Sequence, residues 1–207
     1  MEGIKNILFD LGGVLYHIDY ALTKKAFETL GVDDFDLHYS QQKQNKLFDK
    51  LETGKVSPKT FVFEMQKILP EQSEEKIIQA WNAMLIGFTE ENLNLLDSLS
   101  KNYSLYLLSN TNAIHIDRIN TELKEQFGKP SLDVFFKKAY LSHEIGRRKP
   151  DIETFRWLLK DAAIKAQETL FIDDSIQHVA SASHAGIKTA LWPSNKPIKG
   201  FFPDKAL

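Results

Sequence analysis

The feature that most constrains this fold is a series of short apolar runs that alternate with helical patterns. Strands that alternate with helices form right-handed βαβ units, which bring the strands together in one parallel sheet covered by helices on both faces. We therefore predict a doubly wound, mostly parallel α/β core. The runs that predict its buried strands, each closed by turn-forming residues, are 4–9, 103–108, 138–142 and 169–172, with a weaker fifth at 188–192.

The segments between these runs carry helical spacing. Thr89, followed by two acidic residues and a leucine-rich stretch, is typical of a capped helix that leads into the second strand. Apolar residues at i, i+3, i+6, i+7 and i+10 predict one buried helix face before the fourth strand. These residues are Ile152, Phe155, Leu158, Leu159 and Ala162.

Residues 16–85 break this rhythm and predict several amphipathic helices without a convincing strand. One helix begins at Ser57-Pro58, an N-cap followed by proline at the first helical position, and buries Phe61, Met65 and either Ile68 or Leu69. The segment is much longer than one crossover requires. We therefore predict a small α-helical cap domain at residues 16–85, inserted after the first strand of a core formed by residues 1–15 and 86–207.

Composition excludes several classes of function. The chain has no cysteine, so disulfides, thiolate catalysis and cysteine-based zinc sites are absent. A net charge of −2 gives no reason to expect nucleic acid or an anionic membrane as a partner. The first apolar run is too short for a signal peptide and ends in Asp10, so a cytoplasmic enzyme is expected. Nothing in the sequence indicates the oligomeric state.

Polar residues follow the predicted strands. Asp10 follows the first strand, the pair 109–110 follows the second, and the pair 173–174 follows the fourth, while Lys149 precedes the helix after the third. Ligands of open α/β sheets bind outside the carboxyl ends of the strands. A carboxylate, a hydroxyl, a cation and a carboxylate pair are therefore expected to meet at one edge. Arg147 and Arg148 are expected to be solvated.

The motifs ILFDLGGVL, LLSNTN, GRRKPD and FIDDS, in this order and spacing, resemble the four motifs of the haloacid dehalogenase-like hydrolase superfamily. The resemblance covers essentially the whole chain, and the helical segment is similar to that family's cap of subfamily I. It implies a Rossmann-like core and a magnesium-dependent phosphatase that acts on a small phosphorylated metabolite. The FDLGGVL pattern is similar to a subgroup that includes bacterial α-glucose-1-phosphate phosphatases.

The resemblance implies a role for each motif residue. Asp10 would attack phosphorus and form an aspartyl-phosphate, which divides one difficult displacement into two easier ones. Ser109 and the amide of Asn110 would hydrogen-bond the transferring phosphoryl oxygens. Lys149 would stabilise the negative charge on Asp10 and on the phosphoryl group.

The same resemblance implies the ligands of the magnesium ion. Mg²⁺ prefers near-octahedral oxygen ligation with few protein carboxylates. Asp10, Asp174 and the backbone carbonyl of Gly12 are the implied ligands. Asp173 is either a further ligand or a partner of these ligands that does not itself bind the ion. Without the family context, Asp10 and Ser109 have a plainer interpretation as turn residues, and the 173–174 pair as an N-cap of the next helix.

Gly12 departs from the usual Asp-x-Asp pattern, in which the second aspartate protonates the leaving group and later activates water. General acid–base help is typically worth about 10²–10⁴-fold in rate. One hypothesis is therefore a preference for less basic leaving groups, as in sugar 1-phosphates, acyl phosphates or aryl phosphates. Another is that His17 or Asp19 supplies the proton.

Three other functions compete with a phosphatase. A haloacid dehalogenase would use Asp10 on carbon but needs no metal, and the acidic pair Asp173-Asp174 argues against it. A phosphomutase would need an acid–base group at position 12, where Gly12 stands. A catalytically weak binding or regulatory protein that keeps the fold and the ion site is the alternative that Gly12 favours.

Overall fold

The computed structural model describes residues 1–32, 35 and 46–202. A five-stranded parallel sheet lies at its centre, with the strand order β5 (Lys138–Leu141), β4 (Ser104–Ser109), β1 (Asn6–Phe9), β6 (Thr169–Asp173) and β7 (Lys188–Leu191). This confirms the predicted doubly wound α/β core, including the weaker fifth run. The strands are β1 Asn6–Phe9, β2 Tyr16–Ile18, β3 Leu85–Phe88, β4 Ser104–Ser109, β5 Lys138–Leu141, β6 Thr169–Asp173 and β7 Lys188–Leu191.

The helices begin where the sequence supplies caps. The Ser57 side chain accepts a hydrogen bond from Thr60 N, and the Thr89 side chain accepts one from Asn92 N, so each satisfies a donor of the first turn. The helices are α1 Tyr20–Leu30, α2 Lys46–Glu52, α3 Pro58–Ile68, α4 Glu74–Asn82, α5 Glu90–Leu99, α6 Ala113–Phe127, α7 Ser142–Ile145, α8 Ile152–Asp161 and α9 Ile176–His184.

Alternate residues of the central strands bury their side chains on opposite faces of the sheet. On β1, Ile7 and Phe9 belong to one apolar cluster with leucines of α5 and α6, whereas Leu8 belongs to another with Phe155 and Leu158 of α8. Both faces of β1 are therefore covered, as a parallel sheet requires. In the described part of the chain, no helix is long and apolar enough to cross a bilayer.

Helices α1–α4, here called the helical insert, bury a second apolar cluster, to which α6 of the core adds Ile114. Its centre is aromatic: the ring of Phe61 lies 5.5 Å from the rings of both Phe48 and Trp81. At the end of α3, Leu69 is buried, whereas Ile68 is 48% exposed. Of the two residues predicted from the spacing, Leu69 is therefore the one that packs inside.

The prediction that residues 16–85 contain no strand is wrong at both ends of that segment. Strands β2 and β3 form an antiparallel pair that joins the helical insert to the core. A three-residue strand carries too little alternation to be recognised, and its partner lies about 70 residues later in the chain. Glu122 of α6 supports the pair, because its carboxylate accepts hydrogen bonds from the Tyr16 hydroxyl (2.6 Å) and from Phe88 N (3.1 Å).

Candidate active site

Asp10 lies at the carboxyl end of β1, where the chain turns sharply towards β2. Its backbone N donates to Ile172 O at 2.9 Å, which continues the sheet by one residue, and its side chain is buried. Gly13 has φ +81°, and a Cβ atom there would collide with the carboxylate of Asp174. Only glycine combines this backbone conformation with so close an approach. The second glycine of the motif therefore lets the Asp174 carboxylate reach the loop that carries Asp10.

Asp10, Lys149, Asp173 and Asp174 form a compact group, here called the carboxylate–lysine cluster. Lys149 Nζ lies 2.6 Å from Asp10 Oδ1 and 2.7 Å from Asp173 Oδ2, and the lysine is 1% exposed. The three aspartates each offer a carboxylate oxygen, and these oxygens lie within 4.8 Å of one another. The structure thus brings together four of the predicted site residues, from three separate segments of the chain.

Asn110 fixes the backbone of Lys149. Its Oδ1 accepts a hydrogen bond from Lys149 N, and its Nδ2 donates one to Lys149 O, both at 2.9 Å. Ser109, the last residue of β4, is buried, and both residues line the same cavity as Asp10. The side chain of Asn110 is therefore committed to positioning the lysine, a contact that the motif alone did not indicate.

The cluster has an excess of negative charge. Burial raises the pKa of Asp10 to about 7, because Lys149 only partly offsets burial and the repulsion of Asp173 and Asp174. Burial and the charge of Asp173 also raise the pKa of Asp174. Burial acts in the same direction on Asp173, but Lys149 and His178 outweigh it and lower that pKa to about 2. A bound cation would relieve this repulsion, so the residues present fit a magnesium ion.

Asp173 is more fully engaged by the protein than the other two carboxylates. Its Oδ1 accepts from Ser175 N at 2.7 Å, its Oδ2 accepts from Lys149, and both oxygens lie 3.0 Å from Nδ1 of His178. Sequence reasoning missed His178, which shows no metal-ligand spacing and lies one helical turn after the acidic pair. Both oxygens of Asp173 therefore already bond to protein groups.

A cavity of about 520 Å³ extends from the cluster to the helical insert. The core contributes Asp10, Ser109 and Lys149 to its wall, and the insert contributes Tyr20 and Glu52. The spacing of the motifs gave no signal for the insert residues, because they approach the site only when the insert folds against the core.

Arg148 joins the two sides of this cavity. Its guanidinium lies 2.9 Å from Asp49 Oδ1 and 3.0 Å from Glu52 Oε2, both on α2. The expectation that Arg148 is solvated is therefore wrong, because its partners lie about 100 residues earlier in the chain. Arg147 is exposed, as expected, with its guanidinium over the ring of Trp157.

A second contact between insert and core involves Trp81 of α4. Its ring stacks on His115 of α6 with centroids 4.8 Å apart, and its Nε1 donates to Asn112 Oδ1 at 3.3 Å. Burial lowers the pKa of His115 to about 4, so this imidazole is neutral at physiological pH. The stacked pair fixes the insert on the side of the cavity formed by α6.

The two residues considered as substitutes for the missing acid lie away from the cavity wall. Asp19 caps α1, since its side chain accepts a hydrogen bond from Ala21 N at 2.9 Å, and His17 pairs with Gly87 between β2 and β3. Ile18 and Tyr20 line the cavity instead. The alternation of side chains along β2 accounts for the difference between His17 and Ile18.

Comparison with known proteins agrees with the geometry. The sequence profile of the haloacid dehalogenase-like hydrolases matches residues 7–192. A D-ribitol-5-phosphate phosphatase of Bacteroides thetaiotaomicron is 36% identical over 190 residues, which cover 90% of each chain.

Solved structures give the same result. A haloacid dehalogenase-family enzyme of Bacteroides thetaiotaomicron, bound to magnesium and inorganic phosphate as a variant, has a TM-score of 0.89 and 31% identity, covering 97% of this chain and 100% of that one. A haloacid dehalogenase-like hydrolase of Porphyromonas gingivalis has a TM-score of 0.85 and 34% identity, covering 93% of both. The chain therefore belongs to the haloacid dehalogenase-like hydrolases.

Proposed function

We propose that this hydrolase is a magnesium-dependent phosphatase of a small phosphate monoester, with Asp10 as its nucleophile. The observation that carries the proposal is the buried ion pair between Lys149 Nζ and Asp10 Oδ1, at 2.6 Å, on the floor of a cavity. The lysine holds a carboxylate where an electrophile can reach it, and two further aspartates stand beside it. This arrangement suits attack on a dianionic phosphoryl group better than simple ion storage.

In the proposed reaction, an oxygen of Asp10 forms a bond to phosphorus while the ester oxygen departs. Lys149 stabilises the charge on the transferring group, and Ser109 with the amide N–H of Asn110 hydrogen-bonds its oxygens. Water then hydrolyses the aspartyl-phosphate and restores the Asp10 carboxylate. Asn110 contributes twice, because its side chain also holds the lysine backbone.

Asp10, Asp174 and the backbone carbonyl of Gly12 would hold the magnesium ion. The engaged oxygens of Asp173 favour a supporting role for that residue, in which it orients Lys149 rather than binding the ion. When bound, magnesium neutralises the charge that builds up as an anionic nucleophile meets an anionic phosphate.

A sugar or sugar-alcohol phosphate is the substrate class that we propose. The cavity has room for such a ligand, and its far wall offers both a carboxylate, Glu52, and a guanidinium, Arg148, as hydrogen-bonding groups for hydroxyls. The relative from Bacteroides thetaiotaomicron named as a D-ribitol-5-phosphate phosphatase supports this class. Sugar 1-phosphates and aryl phosphates belong in the same test because Gly12 provides no acid.

The proposal includes the division of the chain into a core, residues 1–15 and 86–207, and a cap, residues 16–85. The separate apolar cluster of the helical insert supports it. It also includes a cytoplasmic location and no nucleic-acid partner, in keeping with the mild net charge of −2.

The test is a panel of phosphate esters assayed with magnesium and with a chelator, using the wild type and Asp10→Asn. We expect metal-dependent turnover, and a loss of at least about 10³-fold in kcat/KM for the variant, because removing a nucleophile costs this order of rate. Asp161→Asn is the matched control, since that carboxylate bonds Lys138 at the surface of α8. Unchanged turnover in Asp10→Asn would contradict the mechanism.

Gly12 also supports a second candidate, a phosphate-ester binder with little turnover. Calorimetric binding of a panel ester in the presence of magnesium, without release of phosphate from it over hours, would favour this candidate. Turnover that requires Asp10 excludes it.

A further inference from the structure

A short loop after β7 contacts the strand that leads into the helical insert, although it lies outside the four motifs. This loop comprises residues 193–196. Just before it, Trp192 N donates to Asp173 O at 2.9 Å, which extends the pairing of β7 with β6. The loop is closed by two hydrogen bonds, from Lys196 N to Pro193 O at 3.1 Å and from Trp192 Nε1 to Lys196 O at 3.0 Å. The parallel sheet therefore fixes where this loop lies.

Asn195 is the residue of the 193–196 loop that bonds the insert strand. Its side-chain Oδ1 accepts from Ile18 N at 3.1 Å, and its Nδ2 donates to Ile18 O at 2.8 Å. Its own backbone N donates to Gly13 O at 2.7 Å. Asn195 has φ +58°, a left-handed conformation in which asparagine is enriched. One residue thus bonds both the turn after Asp10 and the strand β2.

Ile18 is the last residue of β2, and α1 begins two residues later. Its side chain lines the cavity next to Gly12, and a Cβ atom at position 12 would lie 3.0 Å from its Cδ1. The pairing of β2 with β3 is irregular between His17 and Ile18. Because such an irregularity disrupts the ladder locally, the bonds from Asn195 fix β2 at the point where its pairing with β3 is weakest.

The two ends of β2 are held by different parts of the core. At the first end, the Tyr16 hydroxyl donates to Glu122 of α6 at 2.6 Å. At the last end, the amide of Asn195 bonds the backbone of Ile18. A strand that loses one of two fixed points can pivot about the other. Loss of the amide would therefore shift the end of β2 that enters the insert, and leave the end nearer the nucleophile turn in place.

We propose that Asn195 is a positioning residue of the phosphatase, whose side-chain amide holds Ile18 and the entrance of the insert at a fixed place beside the nucleophile turn. The role rests on the proposed function, because it requires an ester whose leaving group contacts the wall formed by the insert. The phosphoryl group is bound by residues of the core, such as Ser109 and Lys149. Asn195 accordingly contributes to recognition of the leaving group, and much less to binding of the phosphoryl group.

The test compares Asn195→Gly with the wild type on the sugar or sugar-alcohol phosphate that the wild type hydrolyses best, beginning with D-ribitol 5-phosphate, at saturating magnesium. Glycine keeps the left-handed backbone and the N–H that bonds Gly13, and removes only the amide. We expect KM to rise about 5- to 30-fold, the value of two ordinary hydrogen bonds. Asn102→Gly, in the exposed turn before β4, is the matched control.

Inhibition by inorganic phosphate separates positioning of the insert from damage to the core, because phosphate has no leaving group. We expect its inhibition constant, and kcat, to change less than about threefold in Asn195→Gly. Exchange of the Ile18 amide hydrogen should become at least about tenfold faster, since that hydrogen loses its acceptor. Asn195→Asp is the second variant if the glycine variant does not fold. It keeps this acceptor but sets a carboxylate oxygen against Ile18 O, so the same rise in KM is expected.

An unchanged KM, or an equal weakening of ester and phosphate binding, would overturn this role for Asn195 while leaving the proposed phosphatase intact. A rise in KM confined to the ester supports it, because a general loosening of the core would weaken phosphate binding as well. Absence of turnover by the wild type on every ester of the panel would overturn the proposed function, and the role of Asn195 with it.

Discussion

The carboxylate–lysine cluster and the helical insert face each other across one cavity, yet they are built by opposite means. The cluster confines three carboxylates around one ammonium, and burial of these charges costs free energy that folding must supply elsewhere. The insert gathers aromatic rings around Phe61, which stabilise it by burying apolar surface. The comparison of the two regions shows that the groups proposed to react are the ones whose burial opposes folding, whereas the residues of the insert core favour it.

Lys149→Met should have the largest effect, because it removes the only cation of the carboxylate–lysine cluster and leaves the helical insert unchanged. It leaves the buried carboxylates of Asp10 and Asp173 without their cation, so we expect kcat to fall about 10²–10³-fold and unfolding in urea to become easier by about 3–5 kcal/mol. Lys5→Met removes an exposed lysine paired with Glu168 and should cost about 0–1 kcal/mol. A Lys149 variant with wild-type stability and turnover would contradict the account of the cluster.

Phe61→Ala should have the reverse profile, with a large effect on stability and no direct effect on the reacting groups. We expect a loss of about 3–5 kcal/mol in the free energy of unfolding, since the ring is fully buried among Phe48 and Trp81. Phe63→Ala, on the same helix but 58% exposed, is the control and should change it by less than about 0.5 kcal/mol. Equal losses in the two variants would show that the insert has no core of its own.

Arg148→Ala tests the contact that joins the two regions. Losing the ion pairs with Asp49 and the buried Glu52 should lower the free energy of unfolding by about 1.5–3 kcal/mol. It should also raise KM more than it lowers kcat, because the cavity wall is held less firmly. Arg147→Ala, one residue earlier and exposed, should change either quantity little. The free energy of unfolding is measured by urea titration. The kinetic constants are measured with the phosphate ester that the wild type hydrolyses best in the panel.

The last prediction is a pH dependence of the free energy of unfolding, measured without metal. The pKa of Asp10 is about 7 in the folded protein and near 3.8 when unfolded, so the folded state binds more protons between these values. The free energy of unfolding attributable to Asp10 therefore decreases as pH rises from about 4 to about 7. Urea titrations across this range should show a shallower decrease in Asp10→Asn, and an equal slope would contradict the assignment.

The core could be predicted from the sequence because its signals are local. Each strand is a contiguous apolar run. Asp10 directly follows a strand, and Ser109 and Asp173 each end one, so the topology alone brings them to one edge. The motif GRRKPD identified Lys149 as a further residue of the site. These inferences need only the periodicity of short segments and the geometry of a parallel sheet.

The remaining features depend on contacts between distant segments, which local patterns do not contain. Arg148 pairs with Asp49 across the cavity, and β2 pairs with β3 about 70 residues later in the chain. Ile68 and Leu69 are adjacent and equally apolar, so spacing alone could not decide that Leu69 is the buried one. Tyr20 lines the cavity from the start of α1, just after β2, a strand that the sequence did not reveal.

The β2–β3 pair has a consequence for how this chain can diverge. The helical insert leaves the core through one strand and returns through its immediate neighbour, and Glu122 bonds both, so its two ends are adjacent. A segment with adjacent ends can be lengthened, shortened or exchanged with little strain on the domain that carries it. A foreign insert grafted between Ile18 and Leu85 is therefore expected to leave the parallel sheet intact.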